Sequence, residues 1–177
     1  MTYHRLENSI IDVIKDEQAK LGYRKEEIRL YYPLSSLVHL TGENLGEQEM
    51  LALLSEFGEE TKEHLGGVTV TAKKDRFCFL IPEEGVVYVK EHTSPNEFIH
   101  DLVNLVGTHG CTMDEIKALF EKQPWPVTVE PVNNEEFDIL IRFGEGADDP
   151  YYYCFKDEGC HIIYHRFLPE DYADFDV

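Results

Sequence analysis

The sequence predicts an α+β fold: an antiparallel sheet built from two related helix-helix-β-β-β units plus an extra C-terminal strand, with the helices on one face. Three observations lead there. The stretch Val68–Lys90, VTVTAKKDRFCFLIPEEGVVYVK, reads as three short strands, Val68–Ala72, Arg76–Ile81 and Val86–Lys90. β-branched and aromatic residues fill the runs, and Lys-Lys-Asp and Pro-Glu-Glu-Gly turns separate them, the pattern of an antiparallel meander. Second, the chain repeats itself, with 34–91 matching 99–156. LVHLTGENLGEQEMLALLSE at 37–56 lies over LVNLVGTHGCTMDEIKALFE at 102–121 without a gap, and the VTV at 68–70 meets the VTV at 127–129. Third, 177 residues with 42% hydrophobic and 12% aromatic content suit one domain, 1–177, whose core needs no disulfide or metal.

The elements follow in order. His4–Leu21 is an amphipathic helix with Leu6, Ile10, Val13, Ile14 and Leu21 on one stripe, ended by Gly22. Ile28–Tyr32 is short and either extended or helical. Pro33 opens a brief helix over Leu34–Leu40, closed by Gly42. A longer helix runs from Gly46 to Leu65, with a break expected at Gly58. After the first meander, Ser94-Pro95 starts a helix over Asn96–Val106. Thr112 and Glu115 form a capping-box pattern for the next, which stops before Pro124 and Pro126. Strands are expected over Val127–Val132, Phe137–Phe143, Tyr151–Lys156 and Cys160–Phe167, the last two joined at Asp157-Glu158-Gly159. The loop Gly144–Pro150 is polar, and the acidic tail offers Tyr172 and Phe175 as anchors.

Charge is the compositional extreme. Sixteen basic residues against thirty-five acidic ones leave −19 at neutral pH. A field of that sign repels phosphate backbones and anionic membrane surfaces, so neither nucleic acid nor membrane is an expected partner. The N-terminal residues break their apolar runs with charges, unlike a signal peptide, and no run approaches the roughly 20 apolar residues that span a bilayer. Cys78, Cys111, Cys154 and Cys160 include no C-x-x-C pair and are expected to be reduced, in the cytoplasm.

Three stretches, IIDVIKDEQAKLGYRKEEIRLYYPLSSL near the start, RFCFLIPEEGVVYV in the middle and YYYCFKDEGCHIIYHRFLPEDY at the end, resemble a bacterial family known only as a domain of unknown function, found among gut-dwelling Clostridia. The resemblance runs nearly end to end. It implies an intracellular bacterial protein and carries no catalytic or binding residues across.

Residue chemistry supplies weak candidates. His109-Gly110-Cys111 precedes a helix, where the dipole and a nearby imidazole favour a thiolate nucleophile. Cys154, Cys160, His161, His165 and Arg166 cluster in sequence. However, His161 and His165 lie roughly 13 Å apart along a strand and Cys160 and His161 point to opposite faces, so no metal site is expected. Glu145, Asp148 and Asp149 lack the regular spacing of a calcium loop, and no phosphate-cradling, dinucleotide, nucleophile-elbow or zinc-protease motif occurs. No cofactor is implied. The helix, helix, hairpin order of 96–143 invites a winged-helix reading, but Asp114, Glu115 and Glu121 on its second helix oppose DNA contact.

Tyr151, Tyr152 and Tyr153, beside Asp148 and Asp149, suit protein recognition, because tyrosine gives contact area at low entropy cost. The leading expectation is an acidic intracellular interaction or adaptor protein that binds a basic protein partner through its C-terminal meander. The alternative is a small enzyme or ligand-binding protein using His109, Cys111, His161, His165 and Arg166.

Overall fold

Residues His4–Leu21 form helix α1 because Leu6, Ile10 and Ile14 recur at helical spacing, and all three are completely buried. Leu21, expected on that stripe, is 63% exposed, and Asp16, on the expected polar face, is buried and held by Lys20 at 2.6 Å. The computed structural model describes residues 3–74, 76–132 and 134–175. The chain folds as two compact units, Met1–Glu97 and Phe98–Val177.

In the first unit α1 is followed by strand β1 (Ile28–Pro33) and helices α2 (Leu34–Thr41), α3 (Glu47–Glu60) and α4 (Lys62–Leu65). Strands β2 (Thr69–Lys73) and β3 (Arg76–Ile81) and helix α5 (Glu83–His92) complete it. Ile28–Tyr32, undecided from sequence, is a strand because β3 offers it a partner: Leu30 pairs with Phe79 and Tyr32 with Phe77. β2 pairs with the other side of β3, giving an antiparallel sheet of order β1-β3-β2. Asp75, in the expected turn between β2 and β3, lies outside the described residues. Helix, strand, helix-turn-helix and hairpin, with the early strand closing on the hairpin's far strand, is the connectivity of a winged helix.

Two expectations fail here for identifiable reasons. Val86–Lys90 is not a strand but part of α5, so the first unit lacks a third meander strand. Pro82 is the extended N-cap residue, and Glu83 and Glu84 place negative charge in the first turn, where the helix dipole favours it. Val86 and Val89, one helical turn apart, are both fully buried, so tertiary packing overrides their β-propensity. Gly58 does not break its helix. It is buried inside α3 because a Cβ there would lie 2.7 Å from the Val68 carbonyl oxygen; the break falls at Thr61 instead.

The second unit starts with helices α6 (Glu97–Val106) and α7 (Met113–Glu121). It continues through strands β4 (Val127–Pro131), β5 (Ile139–Phe143), β6 (Tyr152–Asp157) and β7 (Ile162–Phe167) to helix α8 (Pro169–Phe175). Its sheet is a separate four-stranded antiparallel meander, β4-β5-β6-β7. The expected capping box forms: the Glu115 N–H donates to Thr112 Oγ1 at 3.3 Å and the Thr112 N–H to Glu115 Oε2 at 2.8 Å. The Thr112 N–H, and then the Thr112 hydroxyl, which donates to the same Oε2 at 2.9 Å, hold the Glu115 carboxyl below the usual range. The first unit has only half of this device, the Gly46 N–H donating to Glu49 Oε2 at 3.1 Å.

Residues 34–81 and 97–143 run in the same order, helix, turn, helix, hairpin, but not without a gap. The turn 43–45 before the N-cap Gly46 becomes 108–111 before the N-cap Thr112. With that extra residue, buried Met50 and Leu54 of α3 fall on buried Ile116 and Phe120 of α7. The third element then differs, α5 in one unit and β6 in the other.

Register divides the second sheet into two faces. One carries buried Ile141 together with Phe143, Tyr153 and Phe155, whose rings pack with Phe98 of α6 or Phe120 of α7 at separations of 5.1–6.0 Å. The other carries Leu140 and Cys154, buried with Phe137 beneath Tyr152, Phe167 and Tyr172. The Phe175 side chain lies outside those described.

In α5, a Cβ on Gly85 would sit 2.2 Å from the Leu65 carbonyl oxygen, whereas one on Gly67 meets nothing within 4 Å. Gly85→Ala is therefore expected to cost about 1–3 kcal/mol or more through overpacking against backbone, and Gly67→Ala to stay within about 0.5 kcal/mol. Urea unfolding midpoints of the two variants check this; equal shifts would contradict the packing described.

Candidate functional site

In a winged helix, α3 occupies the place of the helix that enters the DNA major groove. Its sequence, EQEMLALLSEFGEE, puts Met50, Leu53, Leu54, Phe57 and Gly58 inside and leaves Gln48, Ala52, Ser55, Glu56, Glu59 and Glu60 outside. From Glu43 to Glu60 there are six carboxylates and no basic residue. Three of them act on one point: the Tyr3 phenol is pushed up first by burial, then by the charges of Glu60, Glu56 and Glu43. Tyr3 itself is buried edge-on against Phe57 at 5.5 Å. At the tip of the hairpin, the motif's other contact element, Lys73, Lys74 and Arg76 are exposed. The cationic phosphate contacts that position a reading helix have no Lys or Arg on α3 to make them.

The second unit has a different feature, a cleft of about 550 Å³ over β4, β5 and β6, closed on one side by Tyr172 of α8. Glu130 and Arg142 stand diagonally across the β4–β5 ladder on the same face, since Glu130 pairs with Leu140. The Arg142 guanidinium donates to Glu130 Oε1 at 2.8 Å and to the Tyr152 hydroxyl at 3.2 Å, and lies 5.4 Å from the Tyr152 ring centre. The Tyr152 ring meets Tyr172 edge-on at 5.6 Å. Leu140, Val132 and Pro131 supply the apolar lining, and Asn134 completes the wall.

Among known families, the model of DUF3877, a domain of unknown function described from an E. rectale gene, matches residues 3–175. The chain belongs to that family. No curated protein and no solved structure matches it.

In this DUF3877 chain the residues picked out by sequence are dispersed. Cys111 precedes the N-cap of α7, and its thiol is pushed up by burial and then by the charges of Glu115 and Asp157, the wrong direction for a nucleophile. Its S–H points at the Thr112 carbonyl, 3.7 Å away, and His109 is exposed. Cys160 and His161 do not point to opposite faces, because β7 begins only at Ile162. They sit in the turn, with Sγ 3.1 Å from Nδ1. His165 and Arg166 are on opposite faces of β7. The His165 ring packs 5.6 Å from Phe137, while the Arg166 guanidinium lies 4.2 Å over the Tyr151 ring. Among the described residues, no group of three or more His, Cys, Asp or Glu is placed to hold a metal ion.

The tyrosine run divides as alternation requires. Tyr151 and Tyr153 are buried, and Tyr152 is half-buried in the cleft. Asp148 is exposed, but Asp149 is engaged internally: its carboxylate accepts the Tyr151 N–H at 3.0 Å and the Tyr153 hydroxyl at 2.6 Å, tying the loop to the sheet. Sequence reasoning did not single out Glu130 and Arg142 as a pair; the pairing shows only once the β4–β5 register is known.

Burial, followed by the Asp149 charge, holds the Tyr153 phenol well above its ordinary value, with the Arg166 guanidinium opposing. The folded state thus keeps a proton that the unfolded chain releases near pH 10. The contribution is whole below about pH 10 and is lost as pH rises further. Tyr153→Phe should cost about 1–3 kcal/mol at neutral pH, yet lose stability less steeply than wild type above about pH 10. Urea midpoints across that range decide it, and parallel slopes would refute the assignment.

Proposed function

We propose that this chain is an acidic intracellular interaction protein whose partner is a basic segment of another protein, held against the outer face of α3. One observation carries the reading. The helix that a winged-helix scaffold presents for groove contact bears Glu43, Glu47, Glu49, Glu56, Glu59 and Glu60 on or beside it, with no base among them. A scaffold that presents an exposed helix remains useful when its charge is inverted; what changes is the sign of the partner. The net charge of −19 extends the same preference over the whole chain and raises the encounter rate with cations.

The contact helix is set firmly. Phe57 meets Tyr3 at 5.5 Å and Phe79 at 6.5 Å, and the Thr61 hydroxyl donates to the Phe57 carbonyl at 2.8 Å. The carboxylates therefore project from a backbone that need not reorganise on binding, which limits the ordering cost. The C-terminal tyrosine run is less suited to the contact, because two of its three rings are interior.

Fluorescence anisotropy with a Lys/Arg-rich decapeptide and with a short DNA duplex tests the reading. The peptide should bind at about 50 mM salt and weaken as screening shortens the reach of the charges. The triple variant Glu43→Gln, Glu56→Gln, Glu60→Gln should weaken it about tenfold, or about 1.4 kcal/mol. The duplex should not bind. Duplex binding by the wild type, or peptide binding indifferent to the variant, would overturn the proposal.

A further inference from the structure

We propose that the cleft of the second unit is a binding site for a free α-amino acid with an apolar side chain, Arg142 receiving its carboxylate and Glu130 its ammonium group. The cleft volume of about 550 Å³ falls within the range of small-molecule sites. What selects the ligand class is the arrangement of charge. A guanidinium and a carboxylate stand side by side, 2.8 Å apart, with side chains 40% and 49% exposed, so each keeps a side open to solvent. A simple anion would meet Glu130 and the field of the acidic chain, and a simple cation would meet Arg142. A dipolar ion satisfies both at once.

The donors and acceptors are available. Arg142 has five N–H groups, of which one is used on Glu130 and one on Tyr152. Among the described residues the other three have no protein acceptor, and two parallel N–H groups are what a carboxylate takes from arginine. Glu130 Oε2 is not used in the contact to Arg142, which engages Oε1. The guanidinium plane is fixed before any ligand arrives, by the Tyr152 hydroxyl on one edge and the Tyr152 ring 5.4 Å away. An exposed ion pair contributes little to stability by itself, so a ligand that shares the pair loses little by perturbing it.

The rest of the lining gives the side-chain preference. Leu140 is buried at the floor, with Val132 and Pro131 beside it and Tyr172 as a wall. A further charge on the ligand side chain would have no partner against these groups, so leucine and phenylalanine are favoured over lysine and aspartate.

Titration calorimetry on the full chain tests the proposal with L-leucine and L-phenylalanine, their N-acetyl derivatives and their amides. The free amino acids should bind saturably, and each derivative should bind about tenfold more weakly, since it leaves one charged group of the cleft unmatched. Arg142→Gln should abolish the discrimination against the amide and Glu130→Gln that against the N-acetyl form, with circular dichroism confirming that both variants fold. The pair of variants separates a lost ligand contact from a lost fold, because each should erase a different discrimination. Absence of saturable binding up to about 10 mM, the weakest affinity of interest, would overturn the proposal. So would derivatives that bind as well as their parents, or variants that leave both discriminations intact. The peptide experiment on α3 is independent, so failure of one leaves the other standing.

Discussion

Phe77, Phe79 and Ile81 of β3, spaced two apart, are all completely buried, and the first unit is arranged around keeping them so. Because β3 pairs on both sides, it cannot shift by one residue without turning these three side chains to the opposite face. Phe79 touches Tyr32 at 5.3 Å and Phe57 at 6.5 Å, so β1 and α3 are set by the same ring. Once Phe57, Met50 and Leu54 must face it, helical geometry leaves the opposite side of α3 to the glutamates. The acidic surface is thus a consequence of the core as much as of composition.

The second unit solves the same problem with aromatic rings on one face and a partly covered apolar patch on the other. Phe98, Phe120, Phe143 and Tyr153 make one cluster, edge-to-face in every pair but the tilted Phe120–Phe143, and edge-to-face is an arrangement ring quadrupoles prefer. That cluster fixes which face of β5 and β6 is interior. It thereby leaves Arg142, Leu140 and Tyr152 on the far side, where α8 covers only part of them. A four-stranded sheet with helices over one face always has a second face to dispose of, and here part of it becomes a cleft.

Much of this was legible in the residues. The helix starts at Pro33 and Thr112, the hairpin Val127–Phe143 and the two strands after it follow from caps, alternation and turn formers acting locally. What was not legible depends on distant partners. Ile28–Pro33 is a strand only because β3 supplies its ladder. Val86–Lys90 has a strand's composition, and its helical state follows from which of its valines meet the core. Gly58 resembles a helix breaker until the Val68 carbonyl is seen where its side chain would be. For the site, the tyrosine run drew attention through composition, whereas Glu130 and Arg142 are twelve positions apart and acquire meaning through register. Cys160 and His161 were separated by an alternation rule that applies inside strands but not to the turn they occupy.

The roof of the cleft has a peculiar standing. α8 has seven residues, too few for a helix to persist on its own in water. It is held where Tyr172 rests between Tyr152, at 5.6 Å, and Phe167, at 6.1 Å. One phenol ring therefore has two tasks: it walls the cleft, and its contacts with Tyr152 and Phe167 seat the short helix on the sheet.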